Sequence, residues 1–306
     1  MDLLALLVSL LAQHAYPPKA RQPLLAFYGR VCLSAANRLN AGDRNSGLVA
    51  WFVLMAAVLV PAALVTAAAS AIHPFVLWIL DIVVLYATLR FLNTVGELGA
   101  VEKRLRDGDL AGAASRLAQW QGRSLEADDP GSVARLAAEQ ALREAHQGVF
   151  APLFWFLVLP GPIGLVLYPL ALRAAQSWEH LVDPEERDFG WFAARAFHAI
   201  DWIPQRLTAF AFAVVGDFED AIYCWRSQAA AWARSEEGIV LASGAGALGV
   251  RLGEPVSASG SVVVRPALGV GEGAREDALA SLEGLLWRAL ALWFIVFLLE
   301  AALALR

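Results

Sequence analysis

Residues 48–72, LVAWFVLMAAVLVPAALVTAAASAI, run for 25 positions without a charged side chain. About 20 consecutive apolar residues cross the hydrocarbon of a bilayer, so this stretch predicts a membrane helix and decides the fold class. Pro61 lies inside it, and membrane helices tolerate proline. His73-Pro74 then predict a turn, and residues 75–92 (FVLWILDIVVLYATLRFL) read as a second span. Together they predict a helical hairpin over 48–92.

The rest of the chain is read outward from that hairpin. Residues 2–13 (DLLALLVSLLAQ) are apolar but short, and lie in the interface or span with their flanks. They lack the basic start and small-residue cleavage site of a signal peptide. Residues 93–147 turn polar, with leucines at helical intervals, and predict a soluble helical hairpin. Asp129-Pro130-Gly131-Ser132 opens its second helix. Residues 149–172 are apolar again but are broken by Pro160-Gly161-Pro162. Each proline removes an amide donor, so a re-entrant pair of half-helices competes with a kinked span. Amphipathic helix follows over 190–234, a Gly-, Ser- and Val-rich loop over 241–275, and one long helix over 276–305.

The expected fold is therefore all-α: a polytopic helical membrane protein with cytoplasmic helical segments and about 4–5 membrane-associated helices. Its divisions are 1–92, 93–147, 148–240, 241–275 and 276–306. Composition agrees. Apolar residues make up 58% and charged residues 17%, against about 45–50% and about 25% in soluble domains. The loop 16–47 carries five basic residues against Asp43 alone, which places it in the cytoplasm of a multi-pass protein of the bacterial inner membrane. A net charge of −5 gives no footprint for nucleic acid. The two cysteines, Cys32 and Cys224, have no partners at ligand spacing, and no metal site is expected.

Several residues stand out. Asp81 lies mid-span, where an ionisable group is either functional or a paired device that holds helices together. Gly244-Ala245-Gly246-Ala247-Leu248-Gly249 matches the dinucleotide fingerprint by letter, but no strand precedes it, so it reads as a small-residue helix face or turn. The five histidines show no ligand spacing. Arg195, Asp201 and Arg206 recur at near-helical intervals among aromatic residues. Arginines near a bilayer suit either a phosphate-like anion or lipid headgroups. Membrane lipid is the expected partner, and a homo-oligomer is left open.

Four motifs in order then carry a resemblance: Ala151-Pro152-Leu153-Phe154, Ala194-Arg195, Ile203-Pro204-Gln205-Arg206-Leu207-Thr208 and Gly246-Ala247-Leu248-Gly249-Val250-Arg251-Leu252-Gly253. Their order and spacing resemble the CobD/CbiB membrane proteins of cobalamin synthesis, and the related AmpE. The resemblance implies adenosylcobinamide-phosphate synthase chemistry, in which adenosylcobyric acid is joined to aminopropanol phosphate as an amide with Mg-ATP. It also implies that Glu139, Arg195 and Arg206 carry over by position.

The departures matter equally. Where the family runs roughly E-x-x-x-E-N-x-x-D-G, this chain keeps Glu139 and Gly148 in place but has Arg143-Glu144 and Gln147 between them. Where it runs A-R-x-D-D-x-x-N, Phe197 and His198 replace the two acids and Asp201 replaces the Asn. Lost carboxylates imply lost metal ligands. The expectation is therefore a diverged, AmpE-like protein with a regulatory, signal-modulating or ligand-binding role. Glu139, Arg195, Asp201 and Arg206 would hold an anionic or corrinoid-like molecule. The alternative is the synthase itself, and a third reading is a structural membrane partner. Whether the chain is an enzyme stays open, and Mg-ATP is expected only with the synthase.

Overall fold

The computed structural model describes residues 2–16, 21–122, 129–180, 189–233, 235–254, 256–258, 261–263 and 265–304. The chain forms two compact units. The first gathers residues 1–89, 151–202 and 297–306, and the second gathers 90–150 and 203–296.

In the first unit, α3 (Arg44–Ile72) and α4 (Pro74–Thr88) form the expected hairpin. His73 ends one helix and starts the other: its amide donates to the Ala69 carbonyl and its ring accepts from the Phe75 amide, with Pro74 pre-set at the first helical position. Most of both helices faces outward, with Leu64 65% exposed. Only lipid makes that favourable. The loop expected over 16–47 is corrected by α2 (Arg21–Leu39). Tyr28, Cys32 and Ala36, one turn apart, give α2 an apolar stripe. It packs on Ala50 and Leu54 of α3 and on Leu170, Ala174 and Trp178 of α9 (Ile163–His180). The short helix α1 (Asp2–Ala15) lies along α4. Gln13 donates to the Tyr86 and Leu89 carbonyls at the end of α4, which would otherwise lack donors.

The Pro160-Gly161-Pro162 break separates α8 (Ala151–Val158) from α9. The two fold back on each other so closely that a Cβ on Gly164 would fall 2.1 Å from the Trp155 carbonyl oxygen. Eight residues rise only about 12 Å, so α8 does not cross a bilayer by itself.

The second unit holds α5 (Phe91–Arg106), α6 (Leu110–Gln121) and α7 (Pro130–Ala145), where a two-helix hairpin was expected. The π-turn His146–Phe150 follows α7 without a break. Two further helices, α11 (Phe218–Gln228) and α12 (Ser235–Leu248), pack against each other. The helix α10 (Trp191–Val215) contributes to both units. The loop expected from 241 is corrected here. Its glycines lie inside α12 because they pack: a Cβ on Gly246 would meet the Asp220 carbonyl at 2.4 Å, and one on Gly244 would meet Leu142 at 2.6 Å. Gly249, at φ 65°, ends α12 and turns the chain into β1 (Val250–Leu252). β1 pairs antiparallel with β4 (Leu268–Gly269) and parallel with β5 (Glu272–Gly273). β2 (Val256–Ala258) and β3 (Ser261–Val263) form a hairpin.

Last comes α13 (Glu276–Ala304), the long helix the sequence predicts. Among the described residues, three segments are long and apolar enough to cross a membrane: Arg44–Ile72, Pro74–Arg106 and Glu276–Leu303. This is an all-α membrane protein apart from the short strands after α12.

Candidate functional site on the polar face of α7

The helix α7 carries a polar residue every fourth position, at Arg135, Glu139 and Arg143, which sets all three on one face. Its capping residue Asp129 accepts from the Ser132 amide at 2.8 Å and starts the helix there. Glu139 is 2% exposed. Its carboxylate takes a forked contact from Arg265, 2.7 and 3.3 Å, and the amide of Gly253 at 3.0 Å. Fork geometry of this kind is what makes an arginine–carboxylate pair strong and directional. The guanidinium of Arg265 also lies over the Trp232 ring, 5.3 Å from its centroid.

Next to it, Glu254 takes Arg135 at 2.6 Å and Arg251 at 2.8 Å. Glu254 is the described non-glycine residue with a left-handed backbone, φ 68°. Such strain persists where the surroundings over-determine it, and it gathers at functional positions. Three guanidinium groups thus meet two carboxylates, an excess of one positive charge that suits an anion.

A second polar group lies one residue round the helix. Glu144 accepts from Thr94 at 3.1 Å and from Gln140 at 3.3 Å, and pairs with Arg90 at 3.5 Å. Arg143 pairs with Glu237 at 3.4 Å. His146 shares a 2.9 Å hydrogen bond with Thr208 of α10. Three residues before Thr208, Gln205 is 1% exposed, and neither atom of its amide has a partner among the described residues. Orphaned buried amides cost about 1–3 kcal/mol, so this one marks a place where a polar group of a ligand or water fits.

The expected residues divide between the units. Glu139 and Arg206 belong to the second, Arg195 and Asp201 to the first. On α10, Asp201 points about 120° away from Arg195 by helical phase. Asp201 is buried and accepts from the Tyr168 hydroxyl at 2.9 Å. Arg195 is exposed, with its guanidinium 5.7 Å from the centroid of the Trp191 ring. Burial lowers the pKa of Arg206 below its ordinary value. Phe197, standing where the resemblance has an acid, packs partly buried against Tyr168, its ring tilted and 5.6 Å away between centroids. Arg265 and Glu254 were not singled out in the sequence, and Arg90, considered there as a partner for Asp81, pairs with Glu144 instead. The first two lie in a Gly- and Val-rich stretch without periodicity, while the four-residue spacing of 135, 139 and 143 was the available signal.

Among the described residues, Glu139, Glu144, Glu237 and Glu254 beside α7 each pair with arginine. Among the described residues no three acidic, His or Cys side chains gather as metal ligands. The cluster therefore does not fit a bare magnesium ion. Both cysteines are free and buried, and burial raises both thiols, Cys32 to about 11, away from nucleophilic use.

Comparison with known proteins gives consistent results. The family model described as CobD/Cbib protein matches residues 3–284. A protein named cobalamin biosynthesis protein CobD from Stutzerimonas stutzeri is 35% identical over 286 residues, covering 92% of this chain and 91% of its own. One of the same name from Chromobacterium violaceum is 36% identical over 74% of this chain and 72% of its own. Cobalamin biosynthesis protein CbiB of Salmonella typhi is 26% identical over 90% and 87%. No solved structure matches the chain.

Proposed function

Because the chain belongs to the CobD/CbiB family, whose relatives are named for cobalamin biosynthesis, we propose that it is the amide-forming synthase of that family rather than a regulator derived from it. The reaction is the one the resemblance implies: the carboxyl group of adenosylcobyric acid is joined to the amine of aminopropanol phosphate, and the water lost is taken up in ATP hydrolysis. The comparisons lend the regulatory reading no support, and the relatives just named are cobalamin proteins, not AmpE.

The observation that carries the reading is Glu139. It is the acid the resemblance keeps in place, and it lies at the centre of the buried network of Arg265, Gly253 and Trp232. Arg135, Arg251 and Arg265 give this region its positive excess, which suits a phosphate-bearing reactant. Glu139 holds Arg265 in its forked orientation. It acts as a positioning residue, and the arginine would meet the anion. The protein is multi-pass in the inner membrane, with the basic segment 16–47 in the cytoplasm, where ATP is found.

The test is amide formation by the purified protein in detergent or nanodiscs, read by mass spectrometry with both substrates and Mg-ATP. Wild type is expected to turn over. Glu139→Gln is expected to lose about 100-fold, the scale of a 1 Å misplacement of a reacting group. One observation favours a second reading: Phe197 packs partly buried against Tyr168 where the resemblance has a carboxylate. Wild-type protein that binds adenosylcobyric acid but forms no amide would establish that ligand-binding reading instead.

A further inference from the structure

Asp81 stands in the middle of α4, within one of the three spanning segments. It is 4% exposed, and its Oδ1 has no hydrogen-bond partner among the described residues. Arg90, the nearest arginine in sequence, is held by Glu144 and does not serve as its partner. An ionisable group at this depth is expensive to keep.

The chain breaks its own helix beside this oxygen. Gly161 has φ 59°, and a Cβ there would lie 2.8 Å from the Thr66 methyl, 3.3 Å from Leu77 and 3.7 Å from Asp81 Oδ1. The bare backbone of the break therefore lies against Thr66 and Asp81. Helical carbonyls are satisfied by the amide four residues on. For Phe156 and Val158 those positions are Pro160 and Pro162, which have no N–H. The neighbourhood is thus rich in oxygen and poor in donors. The Thr66 hydroxyl donates to the Ala62 carbonyl at 2.8 Å, which leaves its lone pairs available. Among the described residues, the other charge acting on Asp81 is that of Asp2 of α1, which is also negative. The surroundings of Asp81 are therefore suited to a cation.

We propose that Asp81, Thr66 and the broken backbone at 160–162 form a binding site for a monovalent cation inside the membrane, occupied by sodium. Hard oxygen ligands around one buried carboxyl group suit such an ion. Magnesium demands near-octahedral geometry and gives up its water reluctantly. Interrupted helices whose free carbonyls and half-helix ends hold sodium are an established membrane device. A proton on Asp81 would satisfy the same charge, so the experiment separates the two. The site is independent of the amide-forming reading, and its test does not use that activity.

Full-length protein in detergent is unfolded thermally in sodium chloride and in equimolar N-methylglucamine chloride. Sodium is expected to raise the midpoint saturably, by several degrees. The shift should vanish in Asp81→Asn and shrink in Thr66→Val, which keeps the charge and guards against a misfolded Asp81 variant. A midpoint blind to sodium, together with an infrared band of a protonated carboxyl present in wild type and missing in Asp81→Asn, would assign the proton and overturn sodium. A sodium shift of equal size in Asp81→Asn would overturn the site itself.

Discussion

At Gly148 a missing methyl group decides an ion pair. A Cβ there would fall 2.8 Å from Arg90 Nε and 3.2 Å from its Cβ, so only glycine lets that side chain pass toward Glu144. Gly148→Ala is expected to destabilise the protein by about 1–3 kcal/mol through overpacking. Denaturant unfolding checks this, and a second substitution, Arg90→Ala, should recover part of the loss. At the same scale the sequence was half legible. Glu139 could be marked because a motif surrounds it. Arg265 could not, because a lone arginine in a stretch without periodicity looks solvated until Glu139 and Trp232 are brought to it. Asp201 looked like a neighbour of Arg195 by spacing, yet the helical phase turns it to Tyr168.

Among the elements, α7 depends on its first residue. Hydrogen bonds from the Ser132 side chain and backbone hold the Asp129 carboxyl below the usual carboxylate range. Removing the cap by Asp129→Ala is expected to cost about 1 kcal/mol at neutral pH, held toward the low end by the exposure of the site. A depressed folded pKa means that this contribution is complete above about 3.9, the unfolded value, and disappears as pH falls through the lower folded one. Wild type and variant should therefore converge in acid, a comparison made by unfolding at a series of pH values. The Asp129-Pro130-Gly131-Ser132 signal and the long apolar helices were readable because they are local. The helix α12 was only half readable: residues 244–249 read as a small-residue helix face or turn, but the stretch from 241 read as loop, because nothing local shows that Leu142 and the Asp220 carbonyl press against its glycines.

For the molecule as a whole, solvent is the deciding term. Only 22% of the most apolar part of Arg44–Ile72 is buried within the protein, and a helix so apolar would not stay dispersed in water. The protein is expected to stay in the membrane fraction through an alkaline carbonate wash and to leave only with detergent. Release by carbonate alone, read on a blot, would contradict the fold class. The membrane character was legible from the start because it is a property of composition. The two units were not, because the first collects three separated stretches of chain, and reading along the sequence keeps neighbours together that folding separates.

The π-turn at His146–Phe150 holds one residue more than a regular turn would need. Such a surplus tips a carbonyl out of the winding, and here the one from Gly148 receives the amide of Arg90 at 3.0 Å. That amide opens α5, whose first turn would otherwise want a donor's home. An insertion that spoils the pitch of one rod thus becomes the seat on which another begins. Deleting it would tidy the first at the expense of the second.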